Sequence, residues 1–347
     1  MDIEVLGTES LGVRGLSCFI RVGDRNILID PGLAQGFTRY GFHPHPIQAV
    51  FGERVKWEII RRWAMATDIV ITHFHGDHTP LYNANTFQLH LDMLPKPGND
   101  TVLWVKDKEF LVGVECLREK HVVRLFNECR RAPCSSGDDV IEVSGPVVHG
   151  LSGNTTVLLV KITDGSKTFV HMSDTQLLCR EAVETALSWK PDVIVTDGPP
   201  IYRWVKYMPR DKYLRLLRLA RANALKLADN ADLLIIDHHP LRCWKGVEWL
   251  EHLRDRVDNI VCAAEYMRKP ALLLEAWRPL LYRFFRVDKK WFHTRYKELV
   301  DDTTFKSIAS DLVRELESYT RRHKSFFTPI DVVEEILEDI RIKHGFT

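Results

Sequence analysis

At 347 residues, with 45% apolar and 27% charged side chains, the chain has the length and composition of a globular protein built from one large domain and an appendage. A formal charge of +1 leaves any nucleic-acid partner to be decided by local patches. No run approaches the roughly 18 apolar residues of a membrane span, no basic stretch with an apolar core follows Met1, and the seven cysteines are scattered without a Cys-x-x-Cys pair; a reduced, cytoplasmic chain without a thiolate zinc site is expected.

Residues 2–7, 16–22 and 25–30 read as short strands, the last two joined by Gly23-Asp24 as a hairpin. Ile27-Leu28-Ile29 runs into Asp30 before Pro31-Gly32 stops it. Leu33 to Pro46 reads as a loop, broken by Gly36, Gly41, Pro44 and Pro46, and its His43 and His45 read as structural or solvated rather than as the lining of a substrate mouth. Glu53 to Ala66 is a predicted helix with Val55, Ile59, Ile60 and Trp63 on one face. It leads into the buried strand Asp68-Ile69-Val70-Ile71 and then into Thr72-His73-Phe74-His75-Gly76-Asp77-His78-Thr79-Pro80. Alternation turns His73 and His75 to one side, and Gly76 allows a tight turn that brings Asp77 and His78 round to face them. Three imidazoles and a carboxylate converging from one strand end suit Zn²⁺ or a similar divalent ion.

Further on, 101–105 reads as a strand and Lys108 to Arg131 as a charged amphipathic helix, with His90 and His121 structural or on the surface. Val147-Val148-His149 ends one apolar run, and a hairpin over 155–162 and 167–172 delivers Asp174, with His171 inside the strand as a core residue. Strand 191–200 carries Asp197, either the partner of a ligating histidine or a turn residue. Arg203 to Lys226 is a basic helix whose Lys212, Arg215, Arg218 and Lys226 oppose Leu217, Ala220 and Ala224; the stripe is either a solvated face or a contact for a phosphate-rich substrate. Leu233 to Asp237 precedes the pair His238-His239, and strand parity does not choose between them. From Ala263 on the patterns are helical, over Ala271 to Phe285, Phe305 to Arg321 and a segment capped at Thr328, so the expected division is a domain at 1–262 and a helical extension at 263–347 packed on it. The basic and aromatic residues of Arg278 to Lys297 read as a packing surface rather than a nucleic-acid track.

His73-x-His75-x-Asp77-His78 resembles the signature of the metallo-β-lactamase superfamily, and the later strand ends supply His149, Asp174 and His238 in that family's order. The resemblance covers roughly residues 1–262 and is closest to a largely archaeal branch without assigned substrate. Pro80 stands where many members have Gly, which separates the chain from the antibiotic-degrading and glyoxalase-like branches. What the resemblance implies is an α/β fold of the metallo-β-lactamase-like α/β/β/α sandwich type, followed by the helical extension. It implies two divalent ions, Zn²⁺ first with Mn²⁺ or Fe²⁺ as alternatives: His73, His75 and His149 on one, Asp77, His78 and His238 on the other, Asp174 bridging. Asp30 would orient a ligating histidine. The implied reaction is hydrolysis of an ester, lactone, thioester, amide or phosphodiester by a metal-bridging hydroxide, with Asp77, Asp174 and His239 at the reacting centre. A nuclease of the same fold, reached by nucleic acid through helix 203–226, and a non-catalytic metal-binding scaffold or sensor are the alternatives. The family's last ligand stands just beyond its strand, which selects His238. Pro240 predicts an extended His239 aimed at the substrate mouth as a contact or proton donor.

Overall fold

Apolar alternation builds a first sheet whose two faces bury different partners. The computed structural model describes residues 1–35, 38–126, 129–151, 153–287 and 301–346. Strands β1 (Asp2–Gly7), β2 (Ser17–Val22), β3 (Arg25–Ile29), β4 (Asp68–Ile71), β5 (Val102–Val105) and β6 (Arg131–Ala132) lie side by side in sequence order. Cys18, Ile20, Ile27, Ile29, Val70 and Trp104 face inward and share a cluster with Ile141, Val160 and Ile162 of the second sheet. The intervening Phe19, Leu28, Ile69, Ile71 and Leu103 face outward onto Ile59, Ile60 and Trp63 of helix α1 (Pro46–Met65) and Val122 of α2 (Val114–Val123).

The second sheet uses β7 (Ile141–Val143), β10 (Val160–Thr163), β11 (Thr168–His171), β12 (Val193–Asp197), β13 (Leu233–Asp237) and β14 (Ile260–Val261), in the order β14-β13-β12-β11-β10-β7. The short strands β8 (Val147–Val148) and β9 (Thr156–Val157) pair only with each other. Helices α3 (Arg180–Ser188), α5 (Arg210–Ala228) and α6 (Trp244–Arg254) bury Ala186, Ala224 and Leu250 in the main core. The layers are therefore α/β/β/α, with the ends of β4, β11 and β13 brought to one edge.

Several local readings are corrected. Helix α1 starts at Pro46, not Glu53: His45 caps it through Nδ1, which accepts from Ile47 N at 3.2 Å, and the Gln48 side chain accepts from His45 N at 3.0 Å. Within this helix Gly52 sits where a Cβ would meet Gln35 at 2.8 Å. The helix expected over 108–131 is a short turn at Lys108–Phe110 followed by α2, because Gly113 adopts φ +55° between them. The basic helix is broken at Met208-Pro209 into α4 (Ile201–Tyr207) and α5. On α5, Lys212, Arg215, Arg218 and Lys226 are exposed while Ala220 and Ala224 are buried.

After α7 (Ala263–Tyr266), helix α8 covers only Arg278–Phe284 of the stretch expected from Ala271, and two further helices span Thr303–His323 and Ile330–Lys343. Arg278 is fully buried, donating to Gln35 O at 2.8 Å and to Gln48 Oε1 at 2.9 Å. Tyr282 stacks on Phe42 with ring centroids 4.8 Å apart, and Phe284 and Phe285 are buried, so the aromatic residues of the described part pack inward while Arg283 and Arg286 are exposed. Its remainder, 288–297, including Trp291, Phe292 and Tyr296, lies outside the described residues. No described helix is long and apolar enough to cross a membrane.

Candidate metal centre

Strand ends deliver the polar side chains. Just past β4, Thr72 donates its backbone N–H to Asp30 Oδ1 at 2.8 Å and its hydroxyl to Asp30 Oδ2 at 2.7 Å, which ties the exits of β3 and β4 together. The chain then turns tightly, with the N–H groups of His78 and Thr79 both donating to His75 O at 3.0 Å. Gly32 lies directly behind this turn; a Cβ there would stand 2.2 Å from Thr79 N and 2.3 Å from His78 C. Three strands end in a non-glycine residue of left-handed conformation: Asp30 (φ +47°) after β3, Ser173 (φ +52°) after β11 and His238 (φ +66°) after β13. Each such residue costs on the order of 1 kcal/mol or more, and outliers of this kind gather where side chains must be aimed.

Asp174 is the meeting point. Nitrogens of five histidines stand within 3.9 Å of its carboxylate: His78 at 3.2 Å, His149 at 3.3 Å, His238 and His239 at 3.6 Å, and His73 at 3.9 Å. The potential ligand atoms fall into overlapping groups, among them His73, His75, His149 and Asp174, then Asp77, His78 and His238, and also Asp174, His238 and His239. Carboxylates hold the far nitrogens of three rings: Asp30 takes His78 Nδ1 at 2.8 Å, Glu9 takes His238 Nδ1 at 2.7 Å and Asp197 takes His239 Nδ1 at 2.7 Å. A carboxylate behind the ring fixes the tautomer and leaves Nε2 free to ligate.

Burial, with neighbouring His78 and His75, holds His73 well below the usual imidazole range, and burial with His149 brings His75 down to about 4. Both rings are thus neutral, as ligands must be. Burial works against ionisation of Asp77, but His78, His238 and Arg242 outweigh it and keep the carboxylate charged. A cavity of about 110 Å³ lined by Arg14, Gln35, Gly76, Asp77, Asn85 and Gln88 reaches the centre beside Asp77.

A metal fits these residues. Nε2 of His73, His78 and His149 and Oδ1 of Asp174 are buried with no hydrogen-bond partner among the described residues, which an ion accepting their lone pairs would resolve. Ligand bonds of about 2.1 Å around a tetrahedral ion place donor atoms roughly 3.4 Å apart, close to the separations around Asp174.

The structure brings together all seven candidate ligands, His73, His75, Asp77, His78, His149, Asp174 and His238, and adds His239 to them. The expectation for His239 is corrected: it adopts helical angles (φ −56°, ψ −43°) rather than an extended conformation, and its ring turns into the cluster rather than toward a mouth. Asp197 is its partner and no mere turn residue. His171 is held in the core, its Nε2–H donating to Leu16 O at 2.9 Å and its Nδ1 accepting from Ser173 N at 3.3 Å. His90 caps a short turn and His121 stacks on Tyr82, both away from the centre. Sequence reasoning missed Glu9 and Arg242, which meet behind His238. The one available signal was a polar Thr-Glu-Ser immediately after an apolar strand.

The sandwich, with its histidine and aspartate cluster at the strand ends, has the metallo-β-lactamase type of fold. The chain belongs to the UPF0282 protein family. It is 39% identical over 301 residues to a UPF0282 protein of the archaeon Methanosarcina mazei, covering 86% of this chain and 97% of that protein. It is 31% identical over 295 residues to one from Pyrococcus furiosus, covering 82% and 93%. Among solved structures it is similar to the metallo-beta-lactamase fold protein YhfI from Bacillus subtilis, at 13% identity and a TM-score of 0.43 over 75% of this chain and 95% of that one. No family model matches the chain.

Proposed function

We propose that this chain is a metal-dependent hydrolase with two adjacent cation positions, zinc being the first candidate and Mn²⁺ or Fe²⁺ the alternatives. The observation that carries the reading is the convergence of buried, unpartnered lone pairs from His73, His78, His149 and Asp174 on one volume. His73, His75 and His149 would hold one ion and Asp77, His78 and His238 the other, with Asp174 between them. Divalent ions so held supply Lewis-acid activation of water and of the oxygen at the scissile bond.

The chain's own residues supply the rest. Asp30, Glu9 and Asp197 fix the ring orientations of His78, His238 and His239. Asp77 and Asp174 balance the positive charge, and Asp77 borders the cavity through which a substrate would enter. His239, with Nδ1 committed to Asp197, moves a proton at Nε2. The substrate class is a small-molecule ester, lactone, thioester or amide, or a phosphodiester. The free state of all seven cysteines is consistent with a cytoplasmic location.

Elemental analysis of metal-replete protein, followed by a screen of generic esters, thioesters, lactones and bis-nitrophenyl phosphate, tests the reading. Bound transition metal with turnover is expected. Protein free of metal overturns it, and metal without turnover points to a binding scaffold. Salt-dependent RNA binding that is lost on reversing Lys212 and Arg218 would favour the nuclease.

A further inference from the structure

The two groups of ligand atoms at Asp174 differ in the charge that already stands beside them. Nε2 of His73 and of His149 are buried without a hydrogen-bond partner among the described residues. Beside His238, by contrast, Arg242 Nη2 stands 2.9 Å from Nε2 and 3.3 Å from Nδ1, so the guanidinium lies against the ring and next to the position an ion on Nε2 would take. The same Nη2 donates to Asp77 Oδ2 at 3.3 Å. Glu9 holds His238 Nδ1, so Nε2 is the only nitrogen of that ring left to ligate.

The guanidinium is fixed in place. Arg242 is 3% exposed, its Nε donates to Glu9 Oε1, and its Nη1 donates to the Tyr202 hydroxyl at 3.1 Å. An arginine does not surrender its proton, so this is a permanent positive charge. His238 Nε2 lies 3.7 Å from Asp77 Oδ2 and 3.6 Å from Asp174 Oδ1, spacing that suits a shared ion. An ion on that lone pair would stand within a few ångströms of this fixed charge, which repels it.

We propose that the Arg242 guanidinium competes for the second cation position, so that the chain holds one divalent ion tightly at His73, His75, His149 and Asp174 and admits a second only when Nη2 leaves His238. This deepens the metal-dependent reading above and rests on it. With Arg242 in place the centre keeps two cationic groups while holding a single ion. A fixed guanidinium offsets negative charge developing on a substrate oxygen, the task a second ion performs in a binuclear site.

The test is a titration of the metal-free full chain with Zn²⁺ against a competing chelator, in wild type, Arg242→Met and the double variant Glu9→Gln/Arg242→Met. The double variant removes both buried charges together, in case Arg242→Met alone leaves Glu9 unpaired and fails to fold. Wild type is expected to bind one equivalent tightly and a second about 10- to 100-fold more weakly, the cost of one fixed like charge beside the second position. Both variants are expected to bring the two steps together. In ¹⁵N spectra of the wild type, the Arg242 side-chain signal should persist at one equivalent and shift only with the second. Two equal ions in wild type, a split that survives in either folded variant, or an Arg242 signal that moves with the first equivalent each overturn the proposal and leave metal dependence standing. No bound ion in wild type overturns both.

Discussion

Asp174 is where one substitution reaches furthest, because five imidazoles converge on its two oxygens. Asp174→Asn keeps the shape and removes the charge; bound metal is expected to fall to trace levels by elemental analysis while the circular dichroism spectrum is retained. His238→Ala should lower metal content, whereas His239→Ala should leave the tightly bound ion in place and reduce turnover. Equal loss in both variants would mean that His239 is a ligand. His73, His75, Asp77 and His78 were legible because metal chemistry restricts both residue type and spacing and they satisfy both within six positions, whereas His149, Asp174 and His238 were reached only through the family resemblance. Glu9 was not legible, since 229 residues separate it from His238 and pairing at that range leaves no local pattern. The misreading of His239 has a different cause: the local preference of a residue before proline yields to a buried 2.7 Å bond with Asp197.

At the scale of elements, the centre depends on strands that stop in the same unusual way. Left-handed Asp30, Ser173 and His238 redirect the chain at the ends of β3, β11 and β13. None of the three is a glycine, so composition gave no warning. The strands themselves were readable from their apolar runs, because a sheet buried on both faces tolerates little else. Helix ends were less so: Pro46 reads as a loop breaker, yet it occupies the first turn of α1. Gly32 offers a direct test of how tightly two loops must meet. In Gly32→Ala the new methyl would press on the backbone of His78 and Thr79, and overpacking of this kind costs about 1–3 kcal/mol. Urea unfolding of the metal-free protein should show that loss, and Zn²⁺ titration should show weaker binding as His78 is displaced.

Across the whole molecule, the C-terminal helices are tied to the centre rather than appended at a distance. Ala263 N donates to Asp237 Oδ2 at 3.0 Å, Ala264 N to Ser10 Oγ at 2.9 Å and Leu272 N to Ser10 O at 2.7 Å, while Phe305, Ile308 and Leu312 join the main core. Truncation after Cys262 should therefore yield aggregated or unfolded protein, read by circular dichroism and sedimentation; a soluble, metal-binding fragment would establish 1–262 as an independent domain. His45 makes a second tie, its Nε2 2.8 Å from Phe285 O. Burial, with Arg278 nearby, brings its imidazole down to about 3, against the opposing pull of that carbonyl. The folded chain keeps His45 neutral while the unfolded chain takes up a proton below about pH 6.5. Its contribution is thus complete above that pH and is lost as pH falls toward about 3, at up to about 1.4 kcal/mol per pH unit. His45→Asn retains a helix cap, and its denaturant stability should decline less steeply than that of wild type between these limits. Finally, His73 to His78 follow a strand of the first sheet, whereas Asp174 and His238 follow strands of the second. A bound ion is thus a clasp across the seam, and mass action couples occupancy to survival: free metal at about 100 times its dissociation constant adds about 2.7 kcal/mol against unfolding. Chelator should lower the melting temperature and added Zn²⁺ restore it; metal supply would then set how much of the protein persists.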